Sequence, residues 1–309
     1  MNIMTLTLNP AFDLHCTVKN FAPYHENLAH IDSHEAGGKG VNISRALRAG
    51  GVENLCFVVL GEENGDSFAK RLSSEGISYR SLTVAGRIRE NITIHTEGAD
   101  ETRVSFSGFS ADDGLLTCVE GELDAQIGAE SVVTLTGRVP DGISVSAVKA
   151  FLKKLQKKGA RVVIDSRSFT TEDLLEVKPW LIKPNEEEIA LYAEEEVEDV
   201  SLAAEAARRL HRGGIENVML SLGARGALLV CAEGAYLAVP PVVEVKSTIG
   251  AGDSAIGGFL AAASVGASSA EALRLAVAYG SAACITEGTR PPKREDIEKI
   301  LPLIDVKMI

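Results

Sequence analysis

Apolar residues stand at 1, 3, 4, 6 and 8 of Met1-Asn2-Ile3-Met4-Thr5-Leu6-Thr7-Leu8, alternating with polar ones but for the pair Ile3-Met4, a pattern that fits a β-strand over 2–8 closed by Asn9-Pro10. Apolar strand-length runs then alternate with helix-length segments. Leu55 to Leu60 is followed by Asp66 to Gly76. Further strands are expected over 131–136, 161–165, 180–182 and 217–221, each ending in polar or glycine-rich residues. Such a series predicts a mainly parallel sheet covered by helices on both faces, with ligands gathered at the strands' carboxyl ends. Residues 91–96 and 102–107 break the series. They alternate with period two around Glu97-Gly98-Ala99-Asp100, as an antiparallel hairpin does, and a hairpin there projects from the sheet as a flap. The segment from His15 to His34 has weak periodicity, and its four histidines are expected on loops and edge strands rather than on a metal. A β-prone run, Pro241 to Val245, leads into a turn with two glycines, and a small-residue helical pattern runs from Ala255 to Ala263.

That glycine turn, Ser247-Thr248-Ile249-Gly250-Ala251-Gly252-Asp253-Ser254, is the expected chemical centre. Without Cβ atoms, Gly250 and Gly252 let backbone N–H groups approach an anion, and the positive end of the following helix favours negative charge. Asp253 is either a cap of that helix or, beside a phosphate-sized site, a base for a hydroxyl nucleophile. Gly250-x-Gly252-x-x-Ala255 also fits a loose dinucleotide fingerprint, but helix follows helix to Thr286 and the required second strand is missing. No G-x-x-x-x-G-K-[ST] occurs, so if the chain transfers phosphate it does so without a Walker loop. A second glycine turn, Glu35-Ala36-Gly37-Gly38-Lys39-Gly40-Val41-Asn42, opens an amphipathic helix, where Lys39 and Asn42 offer donors from the first turn. Asp13 lies just past the end of the first strand, at the usual ligand side of such a sheet, or else caps a turn.

The chain has 309 residues, is 45% hydrophobic and carries a formal net charge of −12. That charge argues against nucleic acid or an anionic membrane as the main partner, so an anionic substrate needs a local cluster of Lys and Arg. Five scattered cysteines without a C-x-x-C point to free thiols in a reducing compartment. The N-terminal alternation has no basic leader, and no apolar run reaches ~18 residues; a cytoplasmic protein is expected. The acidic run Glu194 to Glu198 reads as a solvated loop. Without repeats, linker or low-complexity tract, one domain over 1–309 is expected, its lid formed by about 11–34 and 87–109.

Five motifs stand in order: Thr7-Leu8-Asn9-Pro10-x-x-Asp13, Ala36-Gly37-Gly38-Lys39-Gly40-x-Asn42, Lys183-Pro184-Asn185-x-x-Glu188, Ser221-Leu222-Gly223-x-x-Gly226 and Gly250-Ala251-Gly252-Asp253-Ser254. Together, over essentially the whole chain, they resemble the ribokinase-like (PfkB) carbohydrate kinases. The Leu-Asn-Pro-x-x-Asp start, the Arg-x-Asn at Arg89 and the run Ser105-Phe106-Ser107-Gly108 are similar to the branch that takes in 1-phosphofructokinases and tagatose-6-phosphate kinases. The resemblance implies a ribokinase-like α/β fold with a small β-sheet lid, and an ATP-dependent kinase acting on a sugar phosphate. Fructose 1-phosphate is the first expectation, with tagatose 6-phosphate and fructose 6-phosphate as alternatives; a silent sugar-phosphate sensor is the alternative from another class. It further implies that Asp253 is the base and that Gly250, Ala251 and Gly252 form the anion hole. Asp13, Gly37, Gly38 and Asn42 would take the sugar, and Lys39 and Arg89 its anionic oxygens. Lys183, Asn185, Ser221, Gly223, Gly226 and Ser247 would line the nucleotide groove, and Asn185 and Glu188 would hold Mg²⁺ mostly through water. Lid sheets in such kinases often pair, which implies a homodimer. One segment departs from the pattern: Thr136-Gly137-Arg138-Val139-Pro140 puts Arg138 where much of the family has serine, either as a phosphate contact or as a solvated arginine.

Overall fold

The computed structural model describes residues 1–98, 101–193 and 199–309. The expected hairpin tip at 99–100 and the acidic run 194–198 lie outside the described residues. Among the described residues fourteen strands occur in chain order: β1 Asn2–Thr7, β2 Ala11–Thr17, β3 His30–Gly37, β4 Leu55–Gly61, β5 Tyr79–Val84, β6 Arg89–His95, β7 Thr102–Ser105, β8 Ser131–Thr136, β9 Arg161–Asp165, β10 Leu181–Ile182, β11 Asn217–Ser221, β12 Ala227–Cys231, β13 Gly234–Val239 and β14 Asp305–Met308. Ten of them form one sheet in the order β14-β13-β12-β11-β10-β9-β8-β1-β4-β5.

The seven strands from β11 to β5 along that order run parallel, as the strand–helix alternation requires. Helices cover both faces, and two apolar clusters form on them. One gathers Leu6, Phe57, Phe68, Leu116 and Leu152; the other gathers Ile3, Leu47, Leu229, Leu260 and Leu273. Coverage on both sides changes the meaning of the alternation in β1. Thr5 and Thr7 face helix rather than water, and Thr5 Oγ1 sits 2.7 Å from Ser44 Oγ inside the protein.

The other four strands make a separate sheet, β3-β2-β6-β7, with β2 antiparallel to β3 and parallel to β6. β6 and β7 pair antiparallel from Asn91–Ser105 to Ile94–Thr102, so the hairpin and its exclusion from the main sheet both hold. The segment 11–34 contributes two full strands to this sheet. His15 is therefore a correction. It is buried in the central strand β2, its ring stacked 5.4 Å from that of His95 and its Nε2 close to Gly288, so neighbours on its face of the sheet cover the imidazole. β1 feeds β2 directly through Asn9-Pro10, and β3 returns through Gly37-Gly38 into the helix Lys39–Ala49.

The β-prone run 241–245 is the second correction: it forms no strand and Val242 is fully exposed. Pro240 and Pro241 supply no N–H for a ladder, so pairing stops at Val239. The sheet is instead extended by β12, β13 and β14, all antiparallel to their neighbours. All five cysteines are free, and among the described residues no helix is long and apolar enough to cross a membrane.

Candidate active site

The carboxyl ends of β1, β9, β10 and β11 open toward the glycine-capped end of the helix Ala251–Ser264. Gly250 precedes that helix with φ 78°, a left-handed conformation that a Cβ would strain, and no side chain caps the helix. The Ala251 N–H donates to the Thr248 carbonyl at 3.3 Å, and the N–H groups of Gly252 and Asp253 are left to an incoming anion, with the helix dipole behind them. Small residues over 251–264 let the helix press closely onto its neighbours. A Cβ on Gly257 would fall 2.9 Å from Ala46 Cβ, and one on Gly252 would fall 3.0 Å from Lys183 Nζ. Gly252 is therefore small because a lysine occupies the space beside it.

Asp253 is buried in the first turn. Its Oδ2 accepts a 2.9 Å hydrogen bond from Asn42 Nδ2, which joins the two glycine-turn motifs across the protein. Burial pushes its carboxyl up to about 6; Lys39 pulls against this and nearby Asp165 pushes with it. A carboxylate with that affinity is ionised at neutral pH yet able to hold a proton, as a general base must. A mere cap would have stayed at the surface and bonded its own helix.

Beside it lies an ion cluster that the sequence reading did not nominate. Asp165, the last residue of β9, is buried, accepts from Lys39 Nζ at 2.9 Å and lies 3.9 Å from Lys183 Nζ. Burial alone would raise this carboxyl, but Lys183 and Lys39 outweigh it and hold it below the usual value. Burial likewise pulls Lys39 down, and Asp165 with Asp253 more than reverses that, so Lys39 stays charged. One buried carboxylate thus holds two ammonium groups at the mouth of the N–H cradle. The signal was available, since Asp165 ends its strand just as Asp13 follows β1.

On the lid side, Asp13 Oδ1 accepts from Asn91 Nδ2 at 2.9 Å, and a Cβ on Gly37 would fall 1.9 Å from Asp13 Oδ2. Burial raises the Asp13 carboxyl, and Asn91, His15 and Arg89 pull it back. Gly38, at φ 127°, packs against Thr7. The Arg89 Nε is buried without a hydrogen-bond partner, and burial lowers this guanidinium's hold on its proton. Asp13 counteracts that and the Arg138 charge adds to it. Arg138 is mostly exposed and bonds Asp141 at 3.1 Å.

The nucleotide-side residues fall into two groups. Asn185 and Glu188 form a reciprocal cap at the start of the helix Glu186–Ala193: Glu188 N donates to Asn185 Oδ1 at 2.8 Å, and Asn185 N to Glu188 Oε2 at 3.0 Å. Glu188 Oε1 accepts from Arg167 Nε at 3.0 Å. Ser221 bridges to Asn185 through the Pro184 carbonyl, and Ser247 Oγ accepts from Ile249 N just before the glycine turn. Gly223 faces open space, whereas a Cβ on Gly226 would lie 1.9 Å from the Ala238 carbonyl oxygen. Gly226 therefore has a packing reason for being glycine, at the close approach of β12 to β13.

Residues 7–296 match the family described as pfkB family carbohydrate kinase, a span that takes in all five motifs. The chain belongs to the pfkB family. A carbohydrate kinase of this kind moves a phosphoryl group to a sugar hydroxyl, which fits an anion cradle with a buried acid at its edge. Relatives named 1-phosphofructokinase, from Escherichia coli (strain K12) and Rhodobacter capsulatus, are each 32% identical to this chain. The first alignment covers 99% of this chain and 98% of the relative, the second 100% and 98%. The crystal structure of phosphofructokinase-2 from Escherichia coli in complex with substrates and products superposes with a TM-score of 0.91 at 28% identity, covering 98% of this chain and 99% of that one. As in other pfkB kinases, the fold is ribokinase-like, with a mainly parallel sheet between helices and a separate small sheet.

Proposed function

We propose that the chain transfers the γ-phosphoryl group of ATP to fructose 1-phosphate, giving fructose 1,6-bisphosphate and ADP. The observation that carries this reading is the buried Asp253 carboxylate, oriented by Asn42 at an N–H cradle flanked by Lys39 and Lys183. The acceptor hydroxyl gives its proton to Asp253 as its oxygen attacks phosphorus, and the Gly250–Gly252 amides with the two lysines take up the charge on the transferring group. Asp13 and Asn42 hold sugar hydroxyls. The sugar's own phosphate is held by Arg89, whose buried Nε lacks a partner, with Arg138, whose charge acts on Arg89, as a second contact.

Asn185 and Glu188 suit Mg²⁺ held through water. Their oxygens each accept one hydrogen bond in the cap and keep further lone pairs, and Mg²⁺ dehydrates reluctantly. When bound with ATP, that ion would neutralise charge on the phosphates and orient them. Ser221, Gly223 and Ser247 line the nucleotide side of the same groove.

The choice of fructose 1-phosphate rests on the full-length 1-phosphofructokinase relatives and on the arginine pair. Coupled ADP detection with fructose 1-phosphate, fructose 6-phosphate and tagatose 6-phosphate tests it. The expected kcat/KM is highest for fructose 1-phosphate by at least about tenfold, the value of one well-placed charge-assisted contact. A preference for either 6-phosphate sugar would overturn the assignment.

The lid supports a homodimer as the working assembly. Ile31 on edge strand β3 is 61% exposed and Phe106, just past edge strand β7, is 51% exposed, on a four-stranded sheet too small to cover them itself. Two lids pairing face to face would cover both and exclude water from the phosphoryl group. Light scattering is expected to give a dimer for the wild type and a weakened one for Phe106→Asp, with a higher sugar-phosphate KM and more ATP hydrolysis without sugar. A wild-type monomer with fully coupled turnover excludes this assembly.

A further inference from the structure

Behind the base lies a chain of contacts that the transfer itself does not use. Arg45 stands one turn after Asn42 on the helix Lys39–Ala49, and helical side chains lean toward the N-terminus, so its guanidinium reaches back over Asn42. Its Nη1 donates to Asn42 Oδ1 at 3.2 Å. Its other edge is clamped by Glu75, at the end of the helix Gly65–Ser74, through Nε–Oε2 at 2.6 Å and Nη2–Oε1 at 2.8 Å. The arginine is buried, with 5% of its side chain exposed.

An asparagine amide can face Asp253 with either its NH₂ or its carbonyl oxygen, and the two edges are almost the same shape. The choice decides the chemistry. NH₂ toward Asp253 stabilises the ionised carboxylate, whereas oxygen toward it would be stable only against a protonated acid, which cannot accept the substrate's proton. Guanidinium carries donors and no acceptor, so whatever faces Arg45 must be an acceptor. Arg45 thereby forces Oδ1 inward and Nδ2 toward Asp253. The bidentate grip of Glu75 holds the guanidinium plane so that Nη1 stays on target, and it balances the buried charge.

We propose that Arg45, clamped by Glu75, is a positioning residue for turnover: it fixes the orientation of the Asn42 amide and so keeps Asp253 in its proton-accepting form. The proposal rests on the reading of Asp253 as the base, and it assigns Arg45 no contact with substrate. The charged groups facing Asp253 are Lys39, Lys183 and Asp165, none of which Arg45 bonds, so a change at Arg45 reaches that carboxylate through Asn42; its charge also lowers the Asp13 carboxyl, an effect that falls on the sugar site and is read in the KM for the sugar phosphate.

The test is the pH profile of kcat for Arg45→Met and Arg45→Lys. Methionine fills the volume but has no donor, so the amide is free to turn. The acid limb is expected to move up by about one to two pH units, the loss of one hydrogen bond to a charge. Turnover then drops about tenfold at pH 6 and largely returns by pH 9, with KM for ATP little changed. Lysine again presents donors only, so Arg45→Lys is expected to return the limb to its wild-type position even if stability falls. An unmoved limb in Arg45→Met, with kcat lowered equally at every pH, reduces Arg45 to packing and overturns the proposal. So does a limb displaced in Arg45→Lys, and that variant carries the test alone should Arg45→Met not fold. Failure of the underlying reading looks different: Asp253→Asn would then keep its turnover, whatever happens at Arg45.

Discussion

Asp253→Asn is expected to lower kcat by ~10²–10⁴, the usual contribution of a positioned general base. The amide fits the same space but cannot take the acceptor's proton, while the N–H cradle of Gly250–Gly252 and the Lys39–Asp165–Lys183 cluster remain. Equilibrium binding of ATP and of the sugar phosphate should change little. The wild-type enzyme also has a predicted pH dependence: below about pH 6 Asp253 is protonated and turnover falls. The same shift makes a statement about stability. A carboxyl whose native affinity for a proton is raised above 3.8 favours folding while protonated, and that contribution is lost as pH rises through about 6. At pH 8 the ionised acid is a liability that the neutral amide lacks, so Asp253→Asn should melt no lower than wild type there. Near-normal kcat in this variant would remove Asp253 from its role; a large fall in Tm would mean that turnover was lost through unfolding.

Arg89→Ala is the second large effect, and it appears in KM rather than in kcat. The guanidinium is largely withdrawn from water, its Nε lacks a partner, and Arg138 opposes its charge. Among the described residues the attraction of Asp13 opposes those costs, and the substrate's phosphate is the proposed further counterpart. A charge-assisted hydrogen-bonded pair contributes ~1.5–3 kcal/mol, so KM for the sugar phosphate should rise roughly 10- to 150-fold. KM for ATP should stay within about twofold, because Arg89 opens a lid strand and Lys183 with Gly252 lies on the other side of the groove. Equal effects on both substrates would place Arg89 in lid architecture rather than in the phosphate pocket.

The parts of this site that are legible in sequence are those whose chemistry is local. A glycine pair opening a helix with an acid in its first turn announces itself at Gly250–Asp253, and the apolar runs of β4, β8 and β9 can be nothing but covered strands. Pairings between distant segments are not legible in that way. Lys39 meets Asp165 across 126 positions and Asn42 meets Asp253 across 211, and no periodicity encodes either. Asp165 and Arg45 were therefore missed as part of the site, although each lies within a correctly placed element. Pro241 to Val245 failed for a different reason. Valine-rich composition favours a strand, but two consecutive prolines remove the donors a ladder needs, and only the absence of a neighbour in space shows which effect wins. The weak alternation of 15–34 places His15 on a loop or edge strand, and its burial follows from contacts that no local pattern encodes, with the His95 ring and the Gly288 turn.

The strand order of the large sheet carries a consequence for how the protein is made. Once the chain has laid β4 and β5 on one side of β1, it crosses to β8 on the other, and from there β9 to β14 add outward in the order in which a ribosome would release them. Each new strand meets an edge that already exists, so most of the sheet can zip up during synthesis through short-range pairings. The proposed base is the exception. Asp253 reaches Asn42 only when the helix Ala251–Ser264 docks onto the helix Lys39–Ala49, which has waited through most of translation. A partly made chain can therefore present both walls of the groove, phosphate cradle excepted, and still be unable to spend ATP.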